Sequence, residues 1–220
     1  MSLETPDGYT LAGIHIPADK RTRGKPLILG FGGNGWNGQD VAEYIHELYP
    51  DHDVVVFHYR GYAPSTGSPS AEALMADAPL VYDFVVGKFK TRKLIGVGFS
   101  IGTAVAARLS AERKLEGLIL VTPFDSLKAV AQSMFPWLPI GPFFSHEMDA
   151  AEALENSKVP VAIVSAQHDQ IVPTERTDAL RKRVGNLVFD RTISGSGHND
   201  IYARSEFHRT MDDALNCLET

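Results

Sequence analysis

The chain has 220 residues, 44% hydrophobic and 22% charged, the composition of an ordinary globular protein; disordered, collagenous and membrane-spanning readings are excluded. Its 21 Lys and Arg against 27 Asp and Glu give a net charge of −6, which offers no broad positive surface to a phosphate backbone, so no nucleic-acid partner is expected. A chain of this length buries about 70% of its unfolded surface on folding, enough for one good core, and one domain is the default.

Met1 to Asp7 has neither the basic start nor the apolar stretch of a signal peptide, and no apolar run approaches the ~20 residues of a membrane helix. The single cysteine, Cys217, allows no intramolecular disulfide and no Cys-based zinc site. A reducing, cytoplasmic setting is the expectation.

Asp7-Gly8 is a hairpin-turn dipeptide, so the chain should open with an antiparallel pair ending near Ile16. Arg21 to Lys25 reads as a charged loop. Short apolar runs then alternate with helical patterns: Leu27 to Phe31, Val54 to Tyr59, Leu94 to Phe99, Leu118 to Val121, Val161 to Ser165 and Leu187 to Ile193. They are apolar at consecutive positions, as parallel strands covered on both faces are. Between them, Val41, Tyr44, Ile45 and Leu48, and later Ile101, Ala104, Val105 and Leu109, make apolar stripes at helical spacing. Leu74, Ala78, Val81, Tyr82 and Val85 make another, in which Pro79 should kink or restart the helix. Phe207, Met211 and Leu215 line a closing helix. This alternation predicts an α/β fold, a doubly wound and mostly parallel sheet.

Residues 123–157 break the rhythm, being too long for a simple connection. They carry Phe124, Phe135, Trp137, Phe143 and Phe144 with Pro136, Pro139 and Pro142, and are expected to form a small cap of two helices, near 126–135 and 149–154, over the carboxyl edge of the sheet. Packing against a neighbouring helix is the rival reading of these aromatics. Trp36 and Trp137 fit either a pocket or a dimer surface.

The strongest local signal is Gly98-Phe99-Ser100-Ile101-Gly102, between an apolar strand and an amphipathic helix. There a serine can sit on a sharp turn with its hydroxyl above the sheet, the nucleophile-elbow arrangement, although a helix-capping serine is the plainer alternative. A serine hydroxyl needs a base and an orienting acid. Asp169 follows the strand ending at Ser165, and His198 lies in Ser194-Gly195-Ser196-Gly197-His198-Asn199-Asp200 after the last strand, giving the order Ser, Asp, His. Asp125, after the strand ending at Val121, is the rival acid. The other seven histidines lie in or beside expected strands and helices, in the cap (His146), or next to the acid (His168). Two donors must also face a developing oxyanion. The backbone N–H groups of Ile101 and of Asn34, in Gly32-Gly33-Asn34-Gly35-Trp36-Asn37-Gly38, are the candidates; this loop matches neither phosphate-binding glycine motif. No metal-ligand spacing and no cofactor motif is present.

These residues resemble the α/β-hydrolase fold, and more narrowly its BEM46-like serine hydrolases, related to the ABHD13 and ABHD17 proteins and to S33 aminopeptidase-like hydrolases. Besides the elbow, Phe31 to Gly35 is similar to that group's Phe-His-Gly-Asn-Ala loop, and Tyr59 to Ser70 to its Tyr-Arg-Gly-Tyr-Gly-x-Ser-x-Gly-x-Pro-Ser stretch. The resemblance implies Ser100 as nucleophile, His198 as base, Asp169 as acid and Asn34 and Ile101 as oxyanion donors, with Arg60 and Tyr62 as scaffold of the rim. It departs at Gly32, which stands where the group has a histidine, so a side-chain bond stiffening the oxyanion loop is expected to be missing; Ala63-Pro64 replaces a more flexible pair.

The expected activity is hydrolysis of carboxylic esters or thioesters of small to medium acyl chains, without a cofactor, the Phe and Trp side chains of the cap walling an acyl pocket. The alternatives are an S33-like peptidase or amidase, with Glu147, Asp149 and Glu152 capturing an amino group, and a catalytically silent hydrolase fold used for binding.

Overall fold

The computed structural model describes residues 1–20, 24–91, 93–134, 137 and 148–219. An eight-stranded sheet runs through them in the order β1-β2-β4-β3-β5-β6-β7-β8. Its strands are β1 (Ser2–Glu4), β2 (Thr10–Ile16), β3 (Leu27–Phe31), β4 (Val54–Phe57), β5 (Leu94–Phe99), β6 (Gly117–Val121), β7 (Val161–Ala166) and β8 (Leu187–Ile193). β1 and β2 pair antiparallel around the Asp7-Gly8 turn, β2 joins β4 antiparallel, and every later pairing is parallel.

Every residue of β3, β4, β5, β6 and β7 is buried, because both faces are covered. Ile28, Val54 and Val56 share one core with Val41 and Ile45 of α1 (Gly38–Leu48) and Phe207 and Met211 of α7 (Phe207–Glu219). Leu29, Val55 and Phe57 share the other with Leu74 and Val81 of α2 (Ala71–Phe89), Leu109 of α3 (Ile101–Glu112), Leu154 of α5 (Ala150–Glu155) and Leu180 of α6 (Thr174–Arg181). Alternate side chains of each strand thus feed opposite layers.

Two expectations are corrected. β8 is an edge strand in which only Ile193 is buried, not a strand covered on both faces; its outer side has no neighbour among the described residues. α2 continues through Pro79, which is buried, rather than restarting there.

Strand order reverses beside β3, since β4 lies on one side of it and β5 on the other. The crevice at the carboxyl ends of β3 and β5 is therefore a topological switch point, where open α/β sheets bind ligands. The segment expected as a cap begins with α4 (Leu127–Met134) and ends with α5, and a lone antiparallel bridge between Ser126 and Asp149 closes its neck. Phe135, Phe143, Phe144, His146 and Glu147 lie outside the described residues. Among the described residues no helix is long and apolar enough to cross a membrane.

Candidate active site

Ser100 sits between β5 and α3 at φ 51° and ψ −117°, a conformation an L-residue holds only under constraint. The constraint is backbone packing. A Cβ on Gly98 would stand 2.6 Å from the Gly102 carbonyl oxygen, and one on Gly102 would stand 2.2 Å from the Phe31 carbonyl oxygen. The Ser100 N–H donates to the Val121 carbonyl at 2.9 Å, and its own carbonyl accepts from the Thr103 N–H at 2.9 Å and hydroxyl at 2.6 Å. Although Ser100 occupies the N-cap of α3, its side chain makes no capping bond. Its Oγ lies instead 3.0 Å from His198 Nε2.

His198 Nδ1 lies 2.7 Å from Asp169 Oδ2, and both side chains are almost fully buried. A carboxylate only accepts, so Nδ1 carries the proton and the Nε2 lone pair faces the serine hydroxyl; this tautomer follows from the hydrogen-bond pattern. The other carboxylate oxygen of Asp169 accepts from the N–H groups of Ile171 (2.9 Å) and Val172 (2.7 Å), which fixes the acid on its turn beyond β7. The Asp169 and His198 loops are also tied to each other: the His168 N–H donates to the Ser196 carbonyl at 2.7 Å, and the Gly195 N–H donates to the Gln167 side chain at 2.7 Å. Arg204 bonds Asp200 and the Gly195 carbonyl, and the Gly197 N–H, the main influence on Asp200, helps hold that carboxyl below its usual range.

The rival acid is engaged elsewhere. Asp125 Oδ2 pairs with Arg176 Nη1 at 3.2 Å, and burial, the largest influence, raises its pKa. The other described histidines have other surroundings: His15 pairs with Asp53 at 2.8 Å, His46 with Asp19, and His52 with the Pro26 carbonyl and Glu219. His58 is buried behind Gly38 and its pKa is lowered by desolvation. His168 is exposed.

A cleft of about 470 Å³ opens over Ser100 and His198, walled by Gly33 to Trp36 on one side and by Ile171, Asn199 and Tyr202 on the other. A Cβ on Gly33 would lie 3.6 Å from Ser100 Cβ, so the loop after β3 rests against the elbow. Ile101 opens α3, and its N–H is among the first-turn donors that lack a helical partner. Trp36, ambiguous in sequence, lines this cleft, with its ring 5.4 Å from that of Tyr202. Burial, partly offset by a hydrogen bond with Thr122, pushes the Tyr202 phenol up to about 12. Tyr202, Ile171 and Asn199 escaped the sequence reading; the only available signal was that each lies within four residues of Asp169 or His198.

Two aromatic assignments are corrected. Phe124 is 2% exposed and belongs to the main core, while Trp137 is 77% exposed and is not among the described residues that line the cleft. The Asp149 carboxylate accepts from the Glu152 N–H at 2.6 Å, which makes it the cap of α5 rather than a group presented to an amine.

Residues 27–151, more than half the chain, match the family described as Alpha/beta hydrolase family. The chain belongs to the α/β hydrolase family. It is 29% identical to protein bem46 of Schizosaccharomyces pombe, over 98% of this chain and 75% of that protein. It is also 29% identical to the lysophosphatidylserine lipase ABHD12 of Rattus norvegicus, over 67% of this chain and 42% of that longer protein. The Pyrococcus furiosus esterase Pf2001 superposes with a TM-score of 0.78, at 19% identity, over all of this chain and 90% of its own, which shows the shared fold. The protein is accordingly a hydrolase enzyme, with lipases and esterases among its relatives and structural neighbours.

Proposed function

We propose that this α/β hydrolase is a serine hydrolase that cleaves carboxylic esters or thioesters of small to medium acyl chains. The observation that carries the reading is the line of hydrogen bonds from Ser100 Oγ through His198 to Asp169, at 3.0 and 2.7 Å, on the floor of the cleft. Ser100 Oγ attacks the acyl carbon while His198 Nε2 takes its proton. The Asn34 and Ile101 N–H groups receive the oxyanion, a contribution of about 3 kcal/mol per donor in such sites. The bond to the leaving oxygen or sulfur then breaks as His198 returns the proton to it. Water, deprotonated by His198, attacks the acyl-enzyme, and release of the acid restores the Ser100 hydroxyl. Asp169 holds the imidazole in register and stabilises its charged form throughout.

A cleft of about 470 Å³ supports a small to medium acyl group. The lipase activity of the relative ABHD12 supports the ester class. We take the chain as one domain with residues 123–157 as a cap, and its single cysteine supports a reducing, cytoplasmic setting.

The test is the hydrolysis rate of p-nitrophenyl esters from acetate to long acyl chains, with wild type and Ser100→Ala side by side. The expected result is turnover with an optimum at short to medium chains, and a loss of at least about 1,000-fold in the variant. Equal rates in the two proteins, or inertness of both, would overturn it, and faster cleavage of aminoacyl amides than of esters would replace it with the amidase reading.

A further inference from the structure

The glycine-rich loop after β3 presents a problem that its sequence leaves open. Four of its seven residues from Gly32 to Gly38 are glycines, each adding backbone freedom that must be removed if a donor is to stay in place. A side chain at Gly32 could not help, since even a Cβ there would stand 2.9 Å from Val41 Cγ2.

Two tyrosines from the loop after β4 supply the missing bonds. The Tyr59 hydroxyl donates to the Gly32 carbonyl at 2.9 Å. The Tyr62 hydroxyl accepts from the Gly35 N–H at 3.1 Å and donates to Asn34 Oδ1 at 3.0 Å. Their rings meet edge to face, 5.9 Å between centroids. We infer that Tyr62 is a positioning residue for hydrolysis, holding Asn34 so that its backbone N–H stays aimed at the developing oxyanion. This rests on the reading of Asn34 as an oxyanion donor. A phenol has one proton, and here it is given to Asn34 Oδ1, so Tyr62 acts through Asn34 and not on the substrate.

The brace is itself anchored. The Tyr62 N–H donates to the Tyr59 carbonyl, the Ser65 N–H donates to the Tyr62 carbonyl, and the Gly61 N–H donates to the Thr66 carbonyl. Arg60, between the two tyrosines, reaches Asp77 of α2 through Nε (3.1 Å) and Nη2 (2.6 Å), and Asp7 of the opening turn through Nη1 (2.5 Å) and Nη2 (3.3 Å). A rigid chain of bonds thus runs from α2 and the first hairpin to the loop opposite Ser100.

The test is Tyr62→Phe, which deletes only the hydroxyl, assayed with Asn34→Ala, the double variant and Ser100→Ala on the best p-nitrophenyl ester. Tyr62→Phe should lower kcat by about 10- to 30-fold with KM changed by less than about twofold, because a misplaced oxyanion donor is felt only in the transition state. Its melting temperature should move by no more than about 2 °C, since the lost bonds are on an exposed loop. The double variant should be no more than about threefold slower than the slower single variant, as two changes that break one interaction are not additive. A wild-type kcat in Tyr62→Phe, a change confined to KM, or fully multiplicative effects in the double variant would each overturn the inference. Hydrolysis by Ser100→Ala at the wild-type rate would instead fail the nucleophile reading beneath it, so the two failures are told apart.

Discussion

At the carboxyl end of β5, Gly98 and Gly102 let backbone touch backbone: a methyl group on either would stand within 2.6 Å of a carbonyl oxygen. At the carboxyl end of β3, Gly35 has open space where its Cβ would be and is required only because its φ is +72°. The elbow is held by direct backbone packing against the end of β3 and by the Ser100 N–H bond to β6, with no side-chain brace needed. The glycine loop borrows its rigidity from Tyr59 and Tyr62, each 27 residues downstream of the group it bonds. Glycine that permits close approach stiffens a site, whereas glycine that permits an unusual turn needs a brace from elsewhere.

The largest effect should come from severing the elbow from its partner loops. Asp169→Asn should lower kcat by about 10,000-fold, since the amide favours the wrong imidazole tautomer, with a change in KM of less than about threefold. Asp125→Asn, which weakens the Arg176 pair outside the Ser100–His198–Asp169 line, should leave kcat within about threefold of wild type; steady-state kinetics on one ester checks both. The same assay on Gly102→Ala should show a loss of at least about 100-fold, with about 3 kcal/mol of destabilisation in urea, because the new methyl meets the Phe31 carbonyl. Gly35→Ala meets nothing and faces only the φ penalty, so it should lose about 1 kcal/mol and, if the loop holds, less than about tenfold in kcat. Equal effects at the two glycines would erase the contrast.

The smallest effect concerns the anchor of the brace. The hydrogen bond from Arg60 is the largest cause that holds the Asp7 carboxyl below 3.8. A carboxylate depressed in the folded state contributes stability above its unfolded value, and that stability is lost as pH falls through the folded one. Urea unfolding from neutral pH downward should therefore show wild type losing stability more steeply below pH 3.8 than Arg60→Gln. A parallel pH dependence would mean that Arg60 does not engage Asp7 in solution.

Much of the sheet is legible because β3, β5, β6 and β7 are apolar at consecutive positions, the pattern typical of strands buried on both faces. β8 reads the same way from Leu187-Val188-Phe189, yet it is an edge strand, and the local signal of that is Asp190-Arg191-Thr192 within the same strand, which is exposed. Ser100, Asp169 and His198 could be singled out because each follows a recognisable strand in a set order. Their approach to within 3.0 Å could not be read, since it depends on how loops far apart in the chain meet above the sheet. Phe124 reads as a pocket wall because its position near the carboxyl edge is visible in the sequence and its direction is not; it turns into the core. Tyr62 carried no signal beyond its motif, because its partners Asn34 and Gly35 lie in another loop.

The most direct measurement of the central claim is reaction of the intact protein with a fluorophosphonate, followed by mass spectrometry of the whole chain and its peptides. One adduct per chain is expected, on Ser100, absent in Ser100→Ala and slowed by at least about 100-fold in His198→Gln, whose side chain cannot serve as the base. An adduct on another serine, or ester hydrolysis by a protein whose Ser100 stays unmodified, would contradict the account.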